Sequence, residues 1–149
     1  MNFRELVRNL SERLGLAEPI EVDADDRFTF EVDGVGVMVQ GMDESSSLAL
    51  VADLGRPPPE RLEALYLELL KANHPLRGAT GVAFSVNPET LAVAQHRILS
   101  LNDQTAESFE REIAHFVSVL LDWRAKVLEF RADESTTSPA PGMDGFLQV

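Results

Sequence analysis

Apolar residues recur along this chain in two rhythms. From residue 2 to 15, Phe3, Leu6, Val7, Leu10 and Leu14 return at steps of three and four, which places them on one helical stripe. Asn2 is placed to cap the start, with Glu5 three residues on, and Gly15 supplies a left-handed stop. The step then shortens to two. In RFTFEV, Phe28, Phe30 and Val32 alternate with Thr29 and Glu31, and Asp33-Gly34 is a strong hairpin signal. The return strand VGVMVQGM alternates Val35, Val37 and Val39 with Gly36, Met38 and Gln40. After the polar turn DESSS, LALVADL reads as a third strand of the meander, apolar on both faces except at Asp53.

GRPPPE punctuates, and its prolines suit a first helical turn. Leu62, Leu65, Tyr66, Leu69 and Leu70 then give a second helix with a wide apolar stripe. Asn73 closes it, since asparagine tolerates the left-handed conformation, and His74 before Pro75 is steered out of the helical region. GVAFSV, the turn NPET and LAVAQHRILSL form a second hairpin. Thr105 caps a long last helix whose apolar positions Phe109, Ile113, Phe116, Leu120, Trp123, Val127 and Phe130 step by four and three, a heptad-like seam. The order α-β-β-β-α-β-β-α, with short turns between paired strands, predicts an α+β fold: an antiparallel sheet packed with three helices over residues 1–131. Residues 132–149 read as a flexible C-terminal tail.

Composition narrows the function. The net charge of −12 makes nucleic acid an unfavourable partner, because binding it depends on Lys and Arg neutralising phosphates. It disfavours anionic membrane surfaces for the same reason and suits a basic or apolar protein partner. No apolar run approaches the roughly 18 residues of a membrane span, and the charged opening lacks the pattern of a secretory signal peptide. With no cysteine, the chain has neither disulfides nor thiol chemistry.

Candidate chemistry is sparse. His74, His96 and His115 read as a loop residue, a strand-surface residue and a helix-face residue, and none has a partner at a metal-ligand spacing. There is no G-x-S-x-G elbow, P-loop or G-x-G-x-x-G. The acidic run Asp23, Asp25 and Asp26 lacks the alternating ligands and closing Glu of a calcium loop and reads as a solvated turn. The expectation is a protein without enzymatic activity, metal or cofactor.

The order of elements and the letters together resemble the class I type III secretion chaperones, the CesT/SycE-like group. The resemblance spans residues 2–130: the helix ending RLGL, the meander ending LVADLG, LLKANHPLRGATGVAFSV, the strand LAVAQHRI and the long last helix. LLKAN followed by a glycine and a strand is its most telling piece. It implies a secretion-chaperone-like domain over 1–131, working as a cytoplasmic bacterial homodimer. Such a protein binds the N-terminal segment of a secreted effector and keeps it soluble and export-competent. The alternative is a regulatory protein of the same fold that sequesters a transcriptional activator, an anti-activator or a secreted regulator. The resemblance points to Leu65, Leu69, Val82, Phe84 and Val86 for dimerisation. For partner binding it points to Phe3, Val7, Phe28, Phe30, Val37, Met38 and Leu50.

Overall fold

A computed structural model describes residues 1–74 and 81–132. The first helix, α1 (Phe3–Arg13), starts as its sequence dictates: Asn2 Oδ1 accepts the Glu5 N–H at 2.8 Å, and Gly15 turns the chain at φ +64°. Next come β1 (Arg27–Val32), β2 (Val35–Met42) and β3 (Ser47–Gly55). Asp33 and Gly34 both take positive φ, the two-residue hairpin turn their letters announce. Then follow α2 (Leu62–Ala72), β4 (Ala83–Val86), β5 (Val93–Ser100) and α3 (Ala106–Ala132). Thr105 Oγ1 accepts the Ser108 N–H at 3.1 Å and so caps α3.

The five strands form one antiparallel sheet in the order β1-β2-β3-β5-β4. β5 enters between β3 and β4, so the short strand β4 becomes an edge opposite β1. The register carries one row across the sheet: Phe30 beside Val37, Val37 beside Ala52, Ala52 beside Gln95, and Gln95 beside Phe84. This face is covered by α1 and α3. The heptad-like seam delivers Phe109, Phe116, Leu120, Trp123 and Val127 into the core, each buried. Phe3, Leu6, Val7 and Leu10 of α1 are buried with them. Fully burying one such side chain stabilises by about 1.5–3 kcal/mol, so this single layer carries most of the stability.

Two polar residues point into that layer. Gln95 is fully buried and donates its amide to the Phe116 carbonyl at 3.0 Å. Arg97 pairs with Glu112 at 2.9 Å, tying β5 to α3. Both sit on the inner face because β5 alternates Val93, Gln95, Arg97 and Leu99 inward.

Several details depart from the sequence reading. Asn73 keeps a right-handed backbone at φ −74° instead of a left-handed one, because its side chain is engaged elsewhere, as described below. The strand expected over 81–86 is confined to Ala83–Val86. Leu91 lies before β5, which begins at Val93, and takes φ +61°, since the Asn87 side chain gathers the Glu89 and Thr90 N–H groups and lengthens the loop. Pro75, the side chain of Phe130 and the tail after Ala132 lie outside the described residues.

Gly41 shows how closely α1 sits on the sheet. A Cβ placed there would lie 2.5 Å from the Phe3 ring and 2.8 Å from Phe3 Cβ, so either α1 or β2 would have to move. Gly41→Ala should therefore destabilise the chain by about 1–3 kcal/mol in urea unfolding, the ordinary cost of overpacking. Adding Phe3→Leu should recover part of that loss.

Candidate partner-binding surfaces

α2 packs at the β4 edge through Leu65 and Leu69, which lie four residues apart on one face and are buried. Its last residue leads into Asn73. There the Asn73 side chain behaves as a short strand: Oδ1 accepts the Phe84 N–H at 2.8 Å, and Nδ2 donates to the Phe84 carbonyl at 2.9 Å. The ordinary β4–β5 pairing leaves these Phe84 groups pointing outward. Asn73 satisfies both and fixes the end of α2 against the sheet edge.

A groove of about 290 Å³ lies along this junction. Phe84 and Leu69 line it, and the Phe84 ring is backed by Trp123 at 4.6 Å between centroids. Tyr66, Val86 and the 68%-exposed Leu70 rim it. Its lining is mainly apolar side chains, open to solvent.

The five residues expected at a dimer interface are thus brought together, but mostly as the body beneath the groove. Leu65, Leu69, Val82 and Phe84 are buried, and only Val86 is half-exposed. The surface itself belongs to Leu70 and Tyr66. The width of the apolar stripe on α2 carried that signal.

The seven partner-binding candidates divide sharply. Phe3, Val7, Phe28, Val37 and Leu50 are core, so a folded chain offers them to no partner. Burial at the α1–sheet contact corrects the expectation that they line a surface groove. Phe30 and Met38 are half-buried and lie on opposite faces of the sheet, so they share no groove. Phe30 stacks on Phe28 at 6.4 Å on the helix-covered side. Met38 belongs to the other face, where Thr29, Met38, Val51, His96 and Ala83 run in one cross-strand row. Ile98, 65% exposed, adds to that face. Strict alternation of β5 from Val93 would have placed it there.

The β1 edge also has a side-chain cap that the sequence reading missed. Asp23 Oδ1 accepts the Arg27 N–H at 2.9 Å, and the Asp23 N–H donates to the Arg27 carbonyl at 2.9 Å. The run read as a solvated turn is therefore a strand cap, braced by Arg27 against Asp25 at 2.7 Å and by Arg4 against Asp26 at 2.7 Å. The Arg27 N–H bond holds the Asp23 carboxyl below its usual range, with desolvation opposing. Among the described residues, no three His, Cys, Asp or Glu side chains gather as a metal site. No described helix is long and apolar enough to cross a membrane.

This architecture places the chain in a recognisable fold class, that of chains solved in chaperone–effector complexes. The HopA1–SchA chaperone–effector complex matches with a TM-score of 0.69 at 16% identity, covering 83% of this chain and 93% of that one. The Yersinia pestis type III secretion chaperone SycH, solved with a stable fragment of YscM2, matches at 0.63 and 17% identity, covering 84% and 98%. Residues 5–124 match the Tir chaperone protein (CesT) family, and the chain belongs to it. It is also 26% identical over 122 residues to the Chlamydia pneumoniae protein CPj0713/CpB0740, covering 81% of this chain and 92% of that protein.

Two outcomes follow from the edge caps. Asn73→Ala should cost about 1–3 kcal/mol for two lost hydrogen bonds and expose the Phe84 amide to exchange with solvent. Asn73→Asp, which keeps the acceptor and loses the donor, should fall between. The Asp23 cap should be acid-sensitive in a defined direction. A depressed folded-state pKa contributes stability above the unfolded value, about 3.9, and loses it as pH falls through the lower folded value. The Arg27 amide should stay protected at pH 5 and lose protection only below the ordinary Asp range, as followed by NMR.

Proposed function

We propose that this chain is a non-enzymatic chaperone for a type III secreted effector. It binds the effector's N-terminal segment and holds it extended, soluble and competent for export. It works in the bacterial cytoplasm as a homodimer, without cofactor or metal. The observation that carries this reading is the family match across residues 5–124, on a fold shared with a chain solved in a chaperone–effector complex.

The geometry supports it in two ways. The α2–β4 groove, with Leu70 and Tyr66 beside it, offers an apolar face to a second copy, and a two-fold axis there lets each patch meet itself. A standard interface buries about 800 Å² per partner, enough for stable association once ordering costs are met. The sheet meanwhile offers edges and an uncovered face to an extended chain, where backbone hydrogen bonds supply affinity and pockets for alternate side chains supply specificity. Of the partner-binding candidates, Phe30 and Met38 keep the accessible surface this role needs.

Co-expression with the N-terminal segments of proteins encoded beside its gene tests the role. One such segment should become soluble only in the chain's presence and co-elute with it. A well-folded chain that solubilises none of them would sink the reading. Light scattering tests the dimer: the native chain should run at about twice 16.5 kDa. Leu70→Asp should shift it towards 16.5 kDa with an unchanged circular dichroism spectrum, because Leu70 is exposed in the single chain. A native chain that stays monomeric at tens of micromolar would contradict the dimer.

A further inference from the structure

The chain between α1 and β1 has no regular secondary structure over residues 16–23, yet it turns back along α1 and is fastened there at two points. At one, the Ser11 hydroxyl donates to the Val7 carbonyl at 3.0 Å and accepts the Ile20 N–H at 3.0 Å. At the other, the Arg4 guanidinium donates to the Asp23 carbonyl at 2.7 Å and pairs with the Asp26 carboxylate at 2.7 Å. Arg4, Arg8 and Ser11 form one stripe of α1, beside the buried stripe of Phe3, Val7 and Leu10. The distance from Arg4 to Ser11 along the helix axis is about 10.5 Å, and an extended chain covers about 10 Å from Ile20 to Asp23, so the two run side by side in step. Ile20 and Val22 turn towards the core and are half-buried, while Glu21 between them is exposed. Ser11, a polar residue, is buried where this segment crosses it. The flank of α1 thus already holds an extended apolar–x–apolar ligand, supplied by the chain itself.

We propose that residues 20–23 are a displaceable strap that keeps the Arg4–Ser11 flank of α1 closed, and that loading exchanges this strap for an extended partner segment with two apolar side chains two residues apart. This rests on the chaperone reading and adds to it a self-inhibitory contact. The strap itself displays the chemistry its replacement needs. One backbone N–H meets Ser11, a carbonyl meets Arg4, and two alternate side chains enter the apolar bed, while the side chain between them points to solvent and is left unspecified. The strap is built to leave. Left-handed residues bracket it, Gly15 at φ +64° and Asp26 at φ +57°. Its side chains are only half-buried, whereas Phe3, Leu6, Val7 and Leu10 are fully packed beneath, so the core stays whole when it opens. Tethered at both ends, the strap competes at an effective concentration on the order of millimolar. A short apolar stretch in free solution loses that competition. A partner already anchored elsewhere on the chain gains the same advantage of tethering and wins it. The strap therefore raises the threshold for casual apolar contacts and yields to a long, multiply anchored segment.

Exchange of a strap has a signature that a fixed loop lacks: a ligand that speeds hydrogen exchange at one amide. The first probe is a capped peptide of residues 17–24, AEPIEVDA, added unlabelled to the 15N-labelled full chain and followed by NMR. At about 5 mM it should speed exchange of the chain's own Ile20 amide about fivefold and leave the Leu10 amide of α1 unchanged. The same peptide with Ser in place of Ile and Val should do neither. Ile20→Ser combined with Val22→Ser loosens the strap and leaves Arg4 and Ser11 in place, so the first peptide should bind this variant about fivefold to tenfold more tightly than the native chain. Adding Arg4→Ala should remove that gain. An effector segment found by co-expression should likewise speed Ile20 exchange in the native chain. Several results would overturn the strap: Ile20 exchange that slows or stays constant with the first peptide or the effector segment, an equal effect of the Ser peptide, or a folded double variant that binds no more tightly. So would Ile20 exchange that varies with chain concentration alone, since the strap would then be traded between copies. If the double variant unfolds, the native-chain measurement decides by itself. These failures would leave the chaperone reading intact wherever co-expression still solubilises an effector segment, whereas failure of that co-expression would strike the chaperone reading itself.

Discussion

An open sheet has two edges, and every outward backbone group on them needs a partner or water. This constraint organises the surface of the chain. At one edge a single asparagine, Asn73, stands in for a missing strand and satisfies both outward groups of Phe84. The same two bonds fix the end of α2 against β4. The position of α2 in turn shapes the groove between Tyr66, Leu70 and Val86. At the other edge Asp23 performs the same service for Arg27 but stops short of Thr29 and Glu31. One edge is fastened at its middle residue, and the other is fastened only at its start.

The core is built independently of these surfaces. α1 and α3 cover one face of the sheet and bury a layer from Phe3 and Phe28 across to Phe84 and Trp123. That layer is complete within one chain. A second copy at the α2 groove, or a segment at β1, would therefore add to a finished fold and not complete it. Such an arrangement suits a protein that must load and release cargo without unfolding. The acidity of the chain acts at long range, favouring basic segments and discouraging edge-to-edge pairing between copies.

Much of this was legible in the letters. Asn2 and Gly15 bounded α1, Asp33-Gly34 formed its turn, and the four-three stepping from Phe109 to Val127 delivered the seam of α3. What could not be read was which alternating set faced the helices and which residues a neighbouring element would cover. Phe3, Val7, Phe28, Val37 and Leu50 carry the same apolar letters whether they bind a partner or fill a core, and tertiary packing decided for the core. Gln95 and Arg97 were carried inward by strand parity, against their own polarity. Asn73 and Asp23 were read through backbone habits of their residue types, a left-handed stop and a solvated turn. Their real partners lie on strand residues: for Asn73, Phe84 is eleven positions away. Local pattern does not specify such pairings.

A crystal structure of the chain bound to the effector segment it solubilises tests the central claim most directly. The account predicts an extended segment lying along the sheet, with the Asn73–Phe84 clasp intact and a second copy of the chain meeting the first across the α2–β4 groove. A compactly folded segment, a segment paired with β4 in place of Asn73, or a single copy of the chain with its α2–β4 groove unpaired would contradict it.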